Sequence, residues 1–321
     1  MPDAYLVYNP TAGRFPSWML TEGASRVLNA AGWNIRIETT NSGPHITQLA
    51  SQAAREGVDA FFVVGGDGSL NYAVAGLMDT NTALGVLPAG TANVWAQELG
   101  LPGLSWTRWM ALEESARILV NAEPHLVDIG MINDRPFLLW AGVGLDAFVV
   151  HHIEPRRPWE KHFSIVHYTA SAIWNAASWP GMQLTVKTNG YQVSGHFLLG
   201  VLSNIHLYAG GFATLSPDAL LDDGVMDLWL FKGDTPADIV RHAFDLLSGK
   251  HLRSDQVEYV PFRDLRMTST SPVYMQVDGE PLESALEAYI YVKPRALRVL
   301  APKQKPHPLF RSEVQPSKGS A

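Results

Sequence analysis

Apolar positions along the first 121 residues follow two alternating periods. Short runs rich in β-branched and aromatic residues at 4–8, 34–38, 61–64 and 83–87 read as strands. Between and after them, residues 17–31, 46–56, 70–78, 94–99 and 106–121 repeat apolar side chains at helical spacing, with Gly32 and Gly57 as stops. Four strand–helix alternations predict a parallel sheet covered on both faces. The texture changes near Val127-Asp128-Ile129-Gly130. From there, strand-like runs dominate at 137–141, 184–187, 197–202, 225–231, 273–277 and 288–292, punctuated by turns such as Asn189-Gly190 and Asp278-Gly279. They predict a mainly antiparallel, sandwich-like β domain with one helix at 236–247. The expected organisation is α/β plus β. An α/β domain over 1–127 is completed by about 294–301, a β-rich domain covers 128–293, and a disordered tail fills 302–321.

Length and composition narrow the class. The chain has 321 residues, enough for two domains. Lys+Arg 24 against Asp+Glu 31 gives a formal charge of −7, which argues against a nucleic-acid binder. The chain has no cysteine, which excludes disulfides, a thiolate nucleophile and a cysteine zinc site. No signal-peptide pattern opens the chain and no run reaches the roughly 18 apolar residues of a spanning helix. Any membrane contact is therefore expected from outside.

The chemistry is concentrated after the third strand. Phe61-Phe62-Val63-Val64 runs into Gly65-Gly66-Asp67-Gly68-Ser69-Leu70-Asn71, a glycine turn that opens a helix. Such a turn presents backbone N–H groups to a phosphate, and its glycines permit close approach. Asp67 would repel a phosphate directly, so it makes sense with a metal or water between them. The dinucleotide fingerprint fails because Asn71 stands where a third glycine belongs. The Walker A pattern fails because Thr91 stands where lysine belongs. A glycine-rich turn without a ligand is the plain alternative.

Other features have bland readings beside sharper ones. Residues 151–179 carry Arg156, Arg157 and Lys161 beside Trp159, Trp174 and Trp179. An amphipathic helix packed on the sheet is the ordinary reading, and a membrane-interface surface the sharper one. His151, His152, His162 and His167 lack metal-ligand spacing and read as packing or surface residues. The tail carries Lys303, Lys305, Arg311 and Lys318, and a solvated tail is expected over one that favours anionic lipid.

Four pieces in series, Asn9-Pro10-Thr11-Ala12-Gly13, Gly65 to Asn71, Pro88-Ala89-Gly90-Thr91-Ala92-Asn93 and Asp278-Gly279-Glu280, resemble the diacylglycerol kinase catalytic family and its soluble bacterial lipid kinases. The resemblance covers roughly residues 4–300. It implies an ATP-binding α/β domain, a β-rich lipid-acceptor domain, and ATP with Mg2+ between them. It places ATP contacts at Asn9, Pro10, Gly13, Thr39 or its neighbour Thr40, Gly65, Gly66, Asp67, Gly68, Ser69, Asn71, Gly90, Thr91 and Asn93. It implies that Glu280 is the proton acceptor and that Asp67 and Asp128 share a metal and water network. A structural Mg2+ site maps to Asp223 with the carbonyls of Leu220 and Val225. Val94 departs from the aspartate common after the asparagine of the third motif, and Leu220 from a lysine seen in some members.

The resemblance further implies a lipid substrate, transient peripheral membrane contact, a cytoplasmic location at the inner membrane surface and no nucleic-acid partner. A homodimer is the default among oligomers. Acceptor choice is expected from 202–212, an apolar and glycine-rich segment suited to a cleft between domains. Nothing in the residues chooses among diacylglycerol, sphingosine, ceramide, phosphatidylglycerol or a polyprenol. Two rivals stand beside the lipid kinase: a soluble-acceptor kinase acting on NAD or a sugar phosphate, and a non-catalytic lipid or nucleotide binder. Taken alone, Asp278-Gly279-Glu280 is a plain hairpin turn and Asp222, Asp223 and Asp227 a solvated acidic turn.

Overall fold

In a computed structural model, residues 1–10, 17–105, 107–153 and 179–314 are described. The N-terminal part is built from β1 (Asp3–Tyr8), α1 (Ser17–Ala30), β2 (Asn34–Thr39), α2 (Gly43–Glu56), β3 (Ala60–Gly65), α3 (Asp67–Leu77), β4 (Ala83–Pro88), α4 (Val94–Glu98) and α5 (Ala111–Leu119). Strands β1, β2, β3 and β4 pair in parallel, in the spatial order β4-β3-β1-β2. β3 and β4 are continuous apolar runs because helices cover both faces, and Phe61, Phe62, Leu84 and Leu87 are buried. Three parallel strands therefore end in loops at one edge: β1 at Asn9, β3 at Gly65-Gly66 and β4 at Ala89-Gly90. Open α/β sheets bind ligands at that carboxyl edge.

The remainder adds β5 (Glu123–Ile132), β6 (Arg135–Phe137), β7 (Trp140–Gly144), α6 (Leu145–Ile153), β8 (Met182–Thr188), β9 (Tyr191–Ser203), β10 (Leu207–Tyr208), β11 (Ala213–Thr214), β12 (Met226–Lys232), α7 (Pro236–Leu247), β13 (Val257–Phe262), β14 (Asp264–Val277) and β15 (Glu280–Ala301). Apart from the β15–β4 contact, pairing among these strands is antiparallel. The long strand β15 joins the two parts. Its first half pairs with β14. Its second half pairs with β5 and meets β4 in parallel at Val299 and Leu84. A register shift between Lys293 and Leu297, with Arg295 at φ +52, bends the strand where it changes partners.

Two expectations need correction. The helix expected from residue 70 begins at Asp67, inside the glycine motif, because Gly66 is the N-cap and the Ser69 and Leu70 N–H groups already bond its carbonyl. The tail expected to be disordered from 302 is ordered through 314. Leu309 and Phe310 are buried, Phe310 stacks on His125 with ring centroids 4.0 Å apart, and Lys305 pairs with Glu313 at 2.5 Å. Prolines and lysines suggested solvation, whereas one apolar pair docking in the core decides the matter. The basic, tryptophan-bearing stretch from Arg156 to Trp174 lies outside the described residues. Trp179 at its end is buried and donates its ring N–H to Leu198 O at 2.9 Å.

Candidate active site

The site begins with a hairpin. Val277 pairs with Glu280, so Asp278 and Gly279 form a two-residue connection with φ of +46 and +87. Left-handed backbone at both positions is the turn that Asp-Gly favours. The Asp278 carboxylate is anchored from four directions. It accepts from the N–H groups of Leu138, Leu139 and Trp140 at 2.8, 2.9 and 3.1 Å, and from Asn71 Nδ2 at 2.8 Å. Burial pushes its pKa up to about 6, against the downward pull of these donors. Glu280, one residue past the turn, is part-exposed and reaches α3. A Cβ added at Gly68 would lie 3.5 Å from Glu280 Oε1, and Tyr72 Oη lies 3.5 Å from Oε2. The carboxylate thus stands over the first turn of the helix that the glycine motif opens.

The two glycine loops meet beside it. A Cβ at Gly66 would come within 3.1 Å of Gly90 Cα, and one at Gly90 within 2.6 Å of Gly66 Cα. Only glycine at both positions allows this approach. Asn93 closes the second loop: Oδ1 accepts from Gly90 N–H at 2.8 Å while Nδ2 donates to Gly90 O at 2.9 Å. Asp67 ties the loops together. Its two oxygens accept from the Val94 and Trp95 N–H groups at 2.9 and 3.1 Å, capping α4 from another element, and burial raises its pKa against those donors. Ser69 is part-exposed over Gly65, and Thr91 is exposed at the loop tip. Part-exposed Asn9 and exposed Pro10 follow β1 at the same edge, and Gly13 lies outside the described residues. Thr39 is exposed at the end of β2, whereas Thr40 is buried and donates its hydroxyl to Ser42 O.

Asn71, expected as a nucleotide contact, turns its side chain inward. It is 4% exposed and spends its side-chain N–H groups on Pro136 O at 3.1 Å and on Asp278. It braces α3 against the Asp278-Gly279 turn. Asp128, expected in the metal and water network, is held by main-chain donors. It is fully buried on β5, accepting from Gly224 N–H at 2.6 Å and Arg295 N–H at 2.7 Å. Burial first, then the charges of Asp223 and Asp222, push the Asp128 pKa up.

The 220–225 turn is half covered by the ordered tail. Leu221 N–H bonds Leu309 O at 2.8 Å and Asp222 Oδ1 accepts from Arg311 N–H at 2.9 Å. Asp223 Oδ1 accepts from Val225 N–H at 2.9 Å. Among the described residues no three His, Asp or Glu side chains converge to hold a metal. Asp223 with main-chain carbonyls nonetheless offers hard oxygen donors, the set that suits Mg2+ or Ca2+. At the glycine loops, the lack of side chains at Gly66 and Gly90 fits the close backbone approach a polyphosphate would require, and Asp67 offers carboxylate oxygens of the kind that suit Mg2+.

Five polar residues at this site carried no motif. Glu98, at the end of α4, is fully buried. It pairs with His206 Nδ1 and accepts from the His206 and Leu207 N–H groups at 3.3 and 3.2 Å. Gln276, Asp146 and Tyr208 form a second buried connection beneath the turn. A carboxylate just after Gly142-Val143-Gly144, at a strand end, was the available signal for Asp146. A glutamate inside the apolar run 94–99 was the signal for Glu98. His206 and Gln276 gave none. The hairpin β10–β11 carries Gly210 beside Ala92 of the second glycine loop, with Gln97 Nε2 donating to Gly210 O at 3.2 Å. The expected acceptor segment therefore adjoins the glycine loops.

Comparison with known proteins gives the same reading of the fold. Residues 3–132 match the model of the diacylglycerol kinase catalytic domain, and residues 140–301 match that of the YegS C-terminal NAD kinase beta sandwich-like domain. The diacylglycerol kinase of Bacillus subtilis is 26% identical over 307 residues, covering 95% of this chain and 98% of that protein. A protein of Chromohalobacter salexigens named "Probable lipid kinase YegS-like" is 28% identical over 284 residues, covering 87% of each. The crystal structure of a diacylglycerol kinase from Bacillus anthracis superposes with a TM-score of 0.71 at 19% identity, over 94% of this chain and 97% of that one, and so shares the fold. With both of its parts matched in order and the full length of its relatives spanned, the chain belongs to the diacylglycerol kinase catalytic-domain family and is a kinase.

Proposed function

We propose that this kinase transfers the γ-phosphoryl group of ATP to the hydroxyl of a lipid, diacylglycerol-like or sphingoid, with Glu280 as general base. The observation that carries the reading is the Glu280 carboxylate standing over Gly68, two residues past Gly66, where the two glycine loops touch. Transfer of this kind asks mainly for positioning and charge neutralisation. The N–H groups at the start of α3 and of the Gly90 loop bind and orient the phosphates. Glu280 accepts the hydroxyl proton as the new O–P bond forms. Asp67 would hold Mg2+, which when bound supplies positive charge at the phosphates. Asp223 with the carbonyls of Leu220 and Val225 would hold a second, structural ion. Asp128 would share in the metal and water network with Asp67, and it fixes the 224 turn to β15.

A lipid acceptor is supported by the names of the relatives and by the hairpin β10–β11 abutting the second glycine loop, with Phe212 exposed at its tip. The protein would meet its substrate transiently at the inner face of the membrane. Among the described residues, α7 presents Val240, Phe244 and Leu247 as a solvent-exposed apolar stripe, with Lys250 over the Phe244 ring. Aromatic and basic residues in that arrangement suit a headgroup boundary. Labelled-phosphate transfer from Mg-ATP to lipids in mixed micelles, wild type beside Glu280→Ala, tests the reading. A loss in kcat on the order of 10²-fold or more is expected in the variant. Labelled NAD or sugar phosphate with no labelled lipid would overturn the lipid reading.

A further inference from the structure

The proposed base sits at the end of a buried chain of hydrogen bonds that neither the glycine loops nor the base itself requires. Gly279 N–H, in the catalytic turn, donates to Gln276 Oε1 at 2.8 Å. Gln276 Nε2 donates to Asp146 Oδ2 at 2.6 Å. Asp146 in turn accepts from the Tyr208 hydroxyl. Gln276 and Tyr208 are 1% and 8% exposed. Room for the chain is made by Gly142 on β7. A Cβ there would stand 2.6 Å from Gln276 Nε2 and 2.9 Å from Asp146 Cγ. Tyr208 is the last residue of β10, in the hairpin that abuts the second glycine loop. Its ring packs edge-on against Trp140 at 5.5 Å, and the Trp140 backbone both donates to Asp278 Oδ1 and accepts Asp278 N–H.

We propose that Gln276 is a positioning residue for phosphoryl transfer: with Asp146 and Tyr208 it forms a strut that fixes the Asp278-Gly279 turn, and so the height of Glu280 over the glycine loops, relative to the acceptor-side hairpin. The proposal rests on the assignment of Glu280 as base. Its physical content is orientation. A two-residue turn fixed only by Asp278 can still rock about that anchor, and the Gly279 N–H on the other side of the turn is the point that stops it. Since a reacting group displaced by about 1 Å can cost on the order of 10²-fold in rate, a strut at this position acts on kcat and leaves ATP binding alone.

The test uses the full-length chain with Gln276→Leu, Gln276→Glu, Asp146→Asn and the double variant Gln276→Glu/Asp146→Asn. Gln276→Leu removes the acceptor of Gly279 and the donor to Asp146 at nearly constant volume. Gln276→Glu keeps the acceptor but sets two carboxylates against each other. The double variant exchanges donor and acceptor, so that the amide at 146 donates to the carboxylate at 276 and its oxygen still accepts from Tyr208. Expected is a fall in kcat of about tenfold in Gln276→Leu and in Gln276→Glu with the KM for ATP unchanged, and recovery of most of that loss in the double variant. Wild-type kcat in Gln276→Leu, or a double variant no better than Gln276→Glu, would overturn the proposal. A loss shared equally between kcat and the KM for ATP would also overturn it, as the mark of general disruption.

Amide hydrogen exchange at Gly279 separates this idea from the assignment of the base. The strut requires slow exchange in wild type and fast exchange in Gln276→Leu. If Glu280→Ala proves fully active, the base assignment fails while the exchange result still decides whether the strut exists. Equal exchange in the two proteins removes the strut whatever Glu280 does.

Discussion

At the scale of single residues, Asp278 and Asn71 show how the motif letters divide their labour. The sequence pattern offered Asp278-Gly279-Glu280 as one unit. Its aspartate is a structural anchor for four donors, its glycine completes a left-handed turn, and its glutamate faces the loops. Asn71, part of the glycine motif by position, serves the anchor. Such roles were illegible because a motif records which residues recur together, and not which way a side chain turns once two distant segments pack. The pKa of Asp278 is raised from 3.8 to about 6 by burial. The folded state therefore holds the proton more tightly than the unfolded one. Its contribution to stability is full below about pH 4 and falls as pH rises towards 6, by up to about 3 kcal/mol, then stays level. The gap in melting temperature between wild type and Asp278→Asn should accordingly narrow from pH 4.5 to 7. A gap that widens over that range would mean the four donors outweigh burial.

At the scale of elements, the glycine loops and α4 were legible, and what α4 ties together was not. Strand, glycine turn and helix follow from apolar runs broken by Gly65-Gly66 and Gly90, and the structure puts β3 and β4 where the periodicity put them and starts α3 three residues earlier. Helix α4 is only five residues long, yet it is held at its start by Asp67 and at its end by His206 through Glu98. It thereby links the first glycine loop to the acceptor side. Nothing local announces this, since both partners come from other parts of the chain. The contact between the loops gives a direct prediction. Gly90→Ala places a Cβ 2.6 Å from Gly66 Cα and 2.7 Å from Asn93 Oδ1, so the loops must part. The KM for ATP should rise on the order of tenfold, about 1.4 kcal/mol, with the melting temperature little changed. An unchanged KM would show that phosphates are not bound where the loops meet.

At the scale of the whole molecule, one strand decides the architecture. β15 leaves the Asp278-Gly279 turn, runs along the antiparallel sheet, bends at Arg295 and ends beside β4. One end of β15 thus carries Glu280, and the other joins the parallel sheet whose strand ends carry the glycine loops. An α/β part followed by a β-rich part was readable from texture. The sheet's continuity was not, because a 22-residue strand with a bulge reads locally as two. The ordered tail was misread for a related reason: its two anchoring residues, Leu309 and Phe310, are outnumbered by prolines and charges. The exposed stripe on α7 carries a prediction at this scale. Anionic vesicles should retain the wild type more strongly than the variant Phe244→Ser/Leu247→Ser, and high salt should weaken retention of both. Equal retention of the two proteins would remove α7 from the membrane contact.

The most direct test of the central claim is phosphate transfer from Mg-ATP to a panel of lipid acceptors, presented in mixed micelles to wild type and to Glu280→Ala, with NAD and fructose 6-phosphate as soluble controls. The account predicts a labelled lipid with wild type, little or none with the variant, and unlabelled controls. Labelled lipid at equal rates from both proteins would contradict the role of Glu280, and label only in a soluble control would contradict the lipid acceptor.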